Sequence, residues 1–423
     1  MKPFNALIGI LIILATFSMA AAVYLVLDEN IGSGEGFASL PMFSRTETAP
    51  VFAGNETENA NDNANAPTNQ TQNTYIHIHI YEEPPADGST FVGENYIQII
   101  PLPSEPPTEE EPTLPCPYTV TITLSAAGDT TLGGDSRWGG YHAFMREFRD
   151  SGHDHSHFMR NVAHIFRDSD LAIVNLEGTL TYATDHMDKA FVFRGPPHFA
   201  RILSSAYVDA VTISNNHTID FFDQGYRDTV DALRAEDIAY FGNEFNIIKE
   251  VNGIQVGMFG YRIWGDTAQN RNNITRSIEY LQENGAQLII AYFHWGVEGA
   301  NTPEQYQVNI GRFAIRQGID LVLGAHPHVI QGTEKYMGRH IVYSLANFCF
   351  GGNANPRDQD SFIFQQTFTF YQDILQPNDD TNIIPVFVSS VRYRNDFQPT
   401  VAEGEDAERI LARIATYSAL LSH

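Results

Sequence analysis

From residue 117 onward, short apolar runs alternate with amphipathic helical stretches, and five of the runs end on polar side chains. The runs are 118–126, 171–175, 207–214, 254–261, 286–293 and 319–324. Helix-like segments lie between them at 157–168, 224–236, 274–284 and 303–317. This alternation predicts an α/β fold around a largely buried sheet. Later runs at 340–345, 361–370 and 383–393 follow without intervening helices and are expected to be antiparallel, with a final helix over 405–421. Two sheets packed face to face and covered by helices satisfy both halves.

The residues after each run narrow the chemistry. They are Gly128-Asp129, then Asn175-Leu176-Glu177, then Ser214 to Asp220, then His294-Trp295-Gly296, then Gly324-Ala325-His326-Pro327-His328. In open α/β sheets, ligands sit at the carboxyl ends of the strands. One polar run end is an ordinary loop cap. Five that deliver only carboxylate, amide and imidazole form a donor set suited to Mn, Fe, Zn or Mg, without thiolate. The inventory suffices for one ion, or for two that share a bridging carboxylate and clamp an in-line displacement.

Composition closes other routes. Lys plus Arg number 25 against 51 Asp plus Glu, a net charge of −26. Nucleic acid is therefore not an expected partner, because phosphate neutralisation needs clustered cations. Docking on anionic headgroups is disfavoured for the same reason. Two cysteines exclude a disulfide-dense scaffold and any thiolate zinc module. Cys116 and Cys349 are open to pairing with each other or to being two unrelated buried thiols.

Residues 6–27 carry no charge. Twenty-two residues at about 1.5 Å each cross a hydrocarbon core of about 30 Å. Lys2 precedes them and Asp28-Glu29 comes after, a polarity that keeps the start cytoplasmic and sends the rest outside. The expectation is a single-pass cell-membrane anchor with an extracytoplasmic C-terminal domain. Small residues at Ser18 to Ala22 also fit a cleaved signal peptide. Residues 28–74 lack periodicity and read as a disordered, solvated spacer. TYIHIHIYE (75–83) alternates like a short strand, and 101–115 is stiff and rich in Pro and Glu. The expected organisation is therefore an anchor over 1–29, an acidic linker over 30–115 and one compact domain over 116–423.

Several motifs together resemble the bacterial capsule-synthesis CapA family, poly-γ-glutamate biosynthesis proteins related to calcineurin-like metallophosphatases. They are AAGDTTLGGD, DLAIVNLEGTLT, DAVTISNNHTIDFFDQG, AYFHWGVE, LVLGAHPHVIQGTE and IVYSLANFCFGG, spread in order over about residues 120–353. The resemblance implies a four-layer metallophosphatase-like α-β-β-α sandwich with mixed sheets. It also implies roles. Asp129 and His328 would serve one metal, Glu177 would bridge, and Asn216, His294 and His326 would serve the second. His217, oriented by Asp220, would be the general acid or electrostatic stabiliser. Asn175, Glu298 and Asn347 would touch substrate or support the ligands.

Metallophosphatases carry Asp-x-His at the first strand, whereas this chain has Asp129-Thr130-Thr131, so one- and two-metal versions both stay open. The chain also has Ala325 where the family often has His, and Ala346 where it often has Gly.

The implied function is capsule or poly-γ-glutamate synthesis or export, alongside other membrane subunits of a capsule synthase. The chemistry would be metal-dependent hydrolysis of a phosphoester-type bond or an anionic-polymer end. The alternatives are a non-catalytic polymer-binding accessory subunit and a general surface phosphodiesterase.

Three further features have open readings. Arg194 in FVFRGPP either holds a phosphate or carboxylate or makes a structural ion pair. Tyr261, Trp264 and Trp295 either wall a cleft or pack in the core. The histidine-dense stretch 152–157 is expected to be a solvent-exposed loop.

Overall fold

The computed structural model describes residues 117–421, apart from 244, 378 and 379. The expected anchor at 6–27, the linker, the 75–83 strand and Cys116 lie outside the described residues. No described helix is long and apolar enough to cross a membrane.

Two mixed sheets form the centre. The first has nine strands and is built on Thr119–Thr131, Leu171–Leu176, Ala210–Thr212 and Ala239–Phe241, which run parallel in that order. Asp360–Tyr371 and Thr381–Phe387 extend it on the other side as antiparallel strands. The second has six strands. Its parallel core is Ile254–Ile263, Leu288–Trp295, Leu321–Ala325 and Arg339–Val342. The run at 340–345 was expected to be antiparallel. It is instead parallel to its neighbour Leu321–Ala325, because the chain crosses over between them and returns through the short strand Thr333–Tyr336.

Side-chain alternation fixes the layers, since successive residues of a strand face opposite sides. Leu124, Ala126, Leu171 and Ile173 pack between the sheets against Val256, Met258, Ile290 and Leu323. Their neighbours Ala127, Ala172 and Val174 face outward, onto helices Gly139–Asp150 and Phe222–Ala235 through Phe144, Phe148, Val230 and Leu233. On the far side, Phe259, Ile289 and Phe293 meet helices Ala268–Glu283 and Gln305–Arg316. Helix Gly404–Ala419 contributes Ile410 and Ile414 to the inter-sheet core. The result is a mixed α/β fold with helices outside both sheets.

Local departures have local causes. The strand expected over 207–214 shortens to Ala210–Thr212 because Tyr207 takes φ 62° in a turn. The helix expected over 157–168 is a single 3-10 turn, His155–Phe158, followed by Ala163–Arg167. The histidine stretch is also less exposed than expected. His155 and His157 are half-buried, and His155 Nε2 lies 2.9 Å from His198 Nδ1 beside the Phe148 ring.

Asp320, just before Leu321–Ala325, offers a pH test of the fold. Its side chain is 13% exposed and lies 3.1 Å from Arg339 Nε, and it accepts from Ile289 N at 2.9 Å. Burial nevertheless pushes its carboxyl up to about 6, against the pull of these partners. A raised acid binds protons more tightly folded than unfolded, so its contribution to stability is present at low pH. That contribution is lost as pH rises through about 4 to 6, at a cost of up to about 3 kcal/mol. Urea unfolding of the parent and of Asp320→Asn at about pH 4 and about pH 7 should show that fall as a loss of the parent's stability relative to the variant, whatever the other carboxylates contribute.

Candidate metal centre

The parallel strands of both sheets bring their carboxyl ends together. Asp129 lies near the end of the first strand, and Asn175 lies opposite it in register on the second. Glu177 comes one residue beyond Leu171–Leu176. His294 is the penultimate residue of its strand, and His326 follows Ala325 directly. The approach is tight. A Cβ on Gly128 would sit 1.9 Å from Ala346 O, the carbonyl that accepts from Asp129 N at 2.9 Å. Ala346 (φ 63°), His326 (φ 97°) and His328 (φ 58°) all take left-handed backbone. That strain costs of order 1–3 kcal/mol per residue and collects at functional sites.

Glu177 is at the centre. It is fully buried, and neither carboxylate oxygen has a hydrogen-bond partner. Around Oε1 stand His294 Nε2 at 3.7 Å and His217 Nε2 at 4.0 Å. On the Oε2 side His328 Nδ1 stands at 3.9 Å, itself 3.1 Å from Asp129 Oδ2. The separations from Glu177 are too long for hydrogen bonds. For His294 and His328 they are the separations of two donors that each hold one cation through bonds of about 2.0–2.2 Å, whereas His217 is engaged by Asp220. Glu177, His326 and His328 offer ligand atoms that all lie within 4.8 Å of one another. His326 Nδ1 is also buried without a partner.

Amides bind the remaining members together. Asn175 Nδ2 donates to Asp129 Oδ1 at 2.8 Å and lies 3.3 Å from His294 Nδ1. Asn216 Oδ1 is 2.6 Å from His294 Nε2, and Asn347 Oδ1 is 2.9 Å from His328 Nδ1. His326 N donates to Asp129 Oδ2 at 3.2 Å.

The electrostatics derive from burial and the two carboxylates. Desolvation and the neighbouring Asp129 raise the Glu177 carboxyl well above its usual range. Burial and the surrounding imidazoles push His294 well below the usual range, and burial beside His328 lowers His326 to about 4. Burial also disfavours charge on His328, but Glu177 and Asp129 overcome it and hold the imidazolium up to about 10. The pocket therefore favours positive charge between two carboxylates and supplies neutral imidazoles around it, as a divalent cation requires.

His217 stands beside this group. Its Nδ1 lies 2.6 Å from Asp220 Oδ2, and its ring stacks on Phe193 with centroids 4.0 Å apart. Burial lowers its pKa against the pull of Asp220. A cleft of about 200 Å³ opens beside it, lined by Phe191, Glu298, His328, Asn347 and Phe350 among others. Glu298 is exposed on the rim.

Arg194 is not part of the group. Its guanidinium donates to Ala183 O and lies 5.2 Å from the Phe221 ring centroid. Trp295 is buried and donates to Tyr343 O, and Tyr261 hydrogen-bonds Ser277, so both pack in the fold. Trp264 is half exposed, with its ring centroid 4.7 Å from that of His326.

Three contributors have no role assigned from the sequence. Asn215 Nδ2 donates to Asn175 Oδ1 and Leu176 O, which fixes the 214–220 loop. Phe193 supplies both the stacking face and an N–H to Asp220 Oδ2 at 2.5 Å. Lys189 Nζ sits 2.5 Å from Asp220 Oδ1 and donates to Asn216 O at 2.8 Å. Asn215 lies within the DAVTISNNHTIDFFDQG motif and Phe193 within FVFRGPP, but no local pattern marks Lys189. Lys189→Met should lower stability by about 1–3 kcal/mol, because it leaves the buried Asp220 Oδ1 without its ion-pair partner. Lys189→Arg should recover part of the loss. Urea unfolding of the two variants would check this.

The chain is similar to several known proteins. The PGA biosynthesis protein CapA of Bacillus subtilis is 26% identical over 225 residues, 48% of this chain and 59% of that protein. The capsule biosynthesis protein CapA of Bacillus anthracis is 25% identical over 232 residues, 49% of this chain and 56% of that protein. The matched region thus spans little more than half the length of these curated relatives. A hypothetical protein from Thermus thermophilus, known from a crystal structure, is 13% identical and covers 62% of this chain and 99% of its own, at a TM-score of 0.38. The profile of the family described as bacterial capsule synthesis protein PGA_cap matches residues 123–352, over half of the chain and the whole stretch from Asp129 to Asn347, and the chain belongs to that family.

Proposed function

We propose that the chain is a membrane-anchored, extracytoplasmic protein of capsule or poly-γ-glutamate synthesis or export whose centre carries out metal-dependent, metallophosphatase-type hydrolysis. The observation that supports this best is Glu177, a fully buried carboxylate with no hydrogen bond and three imidazoles 3.7–4.0 Å away. Asp129, Glu177, Asn216, His294, His326 and His328 would hold one or two divalent ions. When bound, such an ion supplies Lewis acidity that polarises a phosphoryl or acyl oxygen.

The chain's own residues do the rest. Asp220 accepts the Nδ1 proton of His217, which leaves Nε2 to exchange a proton with the reacting group. Lys189 and Phe193 N hold Asp220 in place. Asn347 and Asn175 orient the donors, and Phe193 and Phe350 wall the cleft. The substrate in this reading is an anionic polymer or its phosphoester, and the partners are other membrane subunits of a capsule synthase.

The test is metal analysis of the purified chain after incubation with Mn, Zn or Fe, together with hydrolysis of an aryl phosphodiester at neutral pH. About one or two equivalents of metal and turnover that needs them are expected. A chain that retains no metal, or keeps it unchanged after His326→Ala with His328→Ala, overturns the reading.

A further inference from the structure

A second cavity, lined from two residues beyond Asn353 of the cleft, has the opposite character from the rest of this acidic chain. It encloses about 440 Å³ and is lined by Asn355, Arg357, Gln359, Arg392 and Arg409 together with Asp358 and Asp360. The two carboxylates are already neutralised. Asp360 takes both Arg409 and Arg413, and Asp358 takes Arg413. Arg357 and Arg392 form no ion pair with a carboxylate among the described residues, and Arg392 lies with its guanidinium carbon 3.8 Å from the Phe387 ring centroid. Two arginines are thus left over at one cavity, in a chain of net charge −26.

The cavity's position gives the surplus a use. Asn353 lines the cleft beside His217 and His328, and Asn355 lines the arginine cavity. Asn355 N donates to Asn353 Oδ1 at 2.9 Å, so one turn contributes a lining residue to each cavity. Two residues of chain span at most about 7 Å. Asn395 holds the turn in place through Asn353 O and Phe350 O.

We propose that this cavity is a carboxylate subsite. Arg357 and Arg392 would grip successive side-chain carboxylates of an extended anionic polymer whose end enters the cleft. The inference deepens the proposed function and rests on its polymer substrate. Guanidinium forks suit planar carboxylates. Net repulsion from the acidic surface would confine the polymer to this cationic entry.

The test uses the full chain, with a fluorescein-labelled γ-linked glutamate decamer read by anisotropy and with metal content measured on the same preparations. Both arginines are exposed, so Arg357→Ala with Arg392→Ala should fold and keep its metal. Decamer affinity should fall about tenfold or more, with a shallower salt dependence and unchanged turnover of a small aryl phosphodiester. Arg357→Lys with Arg392→Lys should recover part of the affinity. Equal decamer binding by the double alanine variant overturns the subsite, as does a parent chain that holds metal but no decamer. Tripolyphosphate that displaces the decamer more strongly than free γ-glutamate oligomer of the same charge overturns the carboxylate assignment. Arginine-dependent decamer binding in a chain that holds no metal would sustain the subsite and sink only the metal-dependent reading.

Discussion

Glu177→Gln should weaken metal binding at least about a hundredfold while leaving the metal-free protein as stable as its parent, or more so. The two effects have one cause. The carboxylate is buried beside Asp129 without a hydrogen bond, and a buried charge without a close partner is expensive. Because its folded pKa is raised, its contribution to stability is present at low pH and declines as pH rises above the ordinary carboxylate range. An amide of the same shape removes that liability. It also removes the anion that the cation needs, so the benefit reverses when metal is added. A ligand at a hundred times its Kd stabilises by about 2.7 kcal/mol. Thermal unfolding of the parent should shift upward with Mn or Zn by that order, and the variant should not shift. Metal uptake by the parent should also release a proton in weak buffer near neutral pH. Glu177 and His328 both have raised pKa values in the metal-free centre, and each must be deprotonated to become a ligand. A Gln variant that binds metal as tightly as the parent would remove Glu177 from the ligand set.

Much of this site was legible because strand ends are easy to see. Runs such as 286–293 and 319–324 are too apolar to be surface loops, and the residue just past the end of each run is the first one free to carry chemistry. His294 and His326 both stand within one residue of where that reasoning puts them. Other features were hidden for identifiable reasons. Helix Gly139–Asp150 opens on two glycines, which local propensity reads as a turn. Gly140 is there because a Cβ would meet Gly351 O at 2.6 Å, a tertiary contact that no window of sequence contains. Lys189 joins Asp220 across a loop, so neither period nor motif points to it. Arg194 comes after an apolar run just as His294 does, but its guanidinium is taken up by the backbone carbonyl of Ala183 and by the Phe221 ring. A run end thus nominates a residue, and the partner its side chain finds decides the role.

His217→Ala should reduce turnover by about 10²–10⁴ and leave metal content at the parental level. The separation stems from the contacts. His217 reaches Glu177 only at 4.0 Å, and its strong bond is to Asp220 at 2.6 Å. Its loss leaves Asp129, His294, His326 and His328 in their own hydrogen bonds and ring contacts. The variant should also fold, because Asp220 keeps Lys189 and Phe193 N as partners, so no uncompensated charge is buried. The gap left against the Phe193 face is the shape of an imidazole. Added imidazole should therefore recover part of the turnover, which a purely structural defect would not allow. Asp220→Asn should add little to the loss once His217 is gone, because a residue that acts through another has nothing left to orient. Capsule output in cells decides between the two remaining roles. If it falls with turnover, the proton exchange at Nε2 is part of assembly or export. Full output from His217→Ala would make the centre a structural metal site and the chain a polymer-binding accessory subunit.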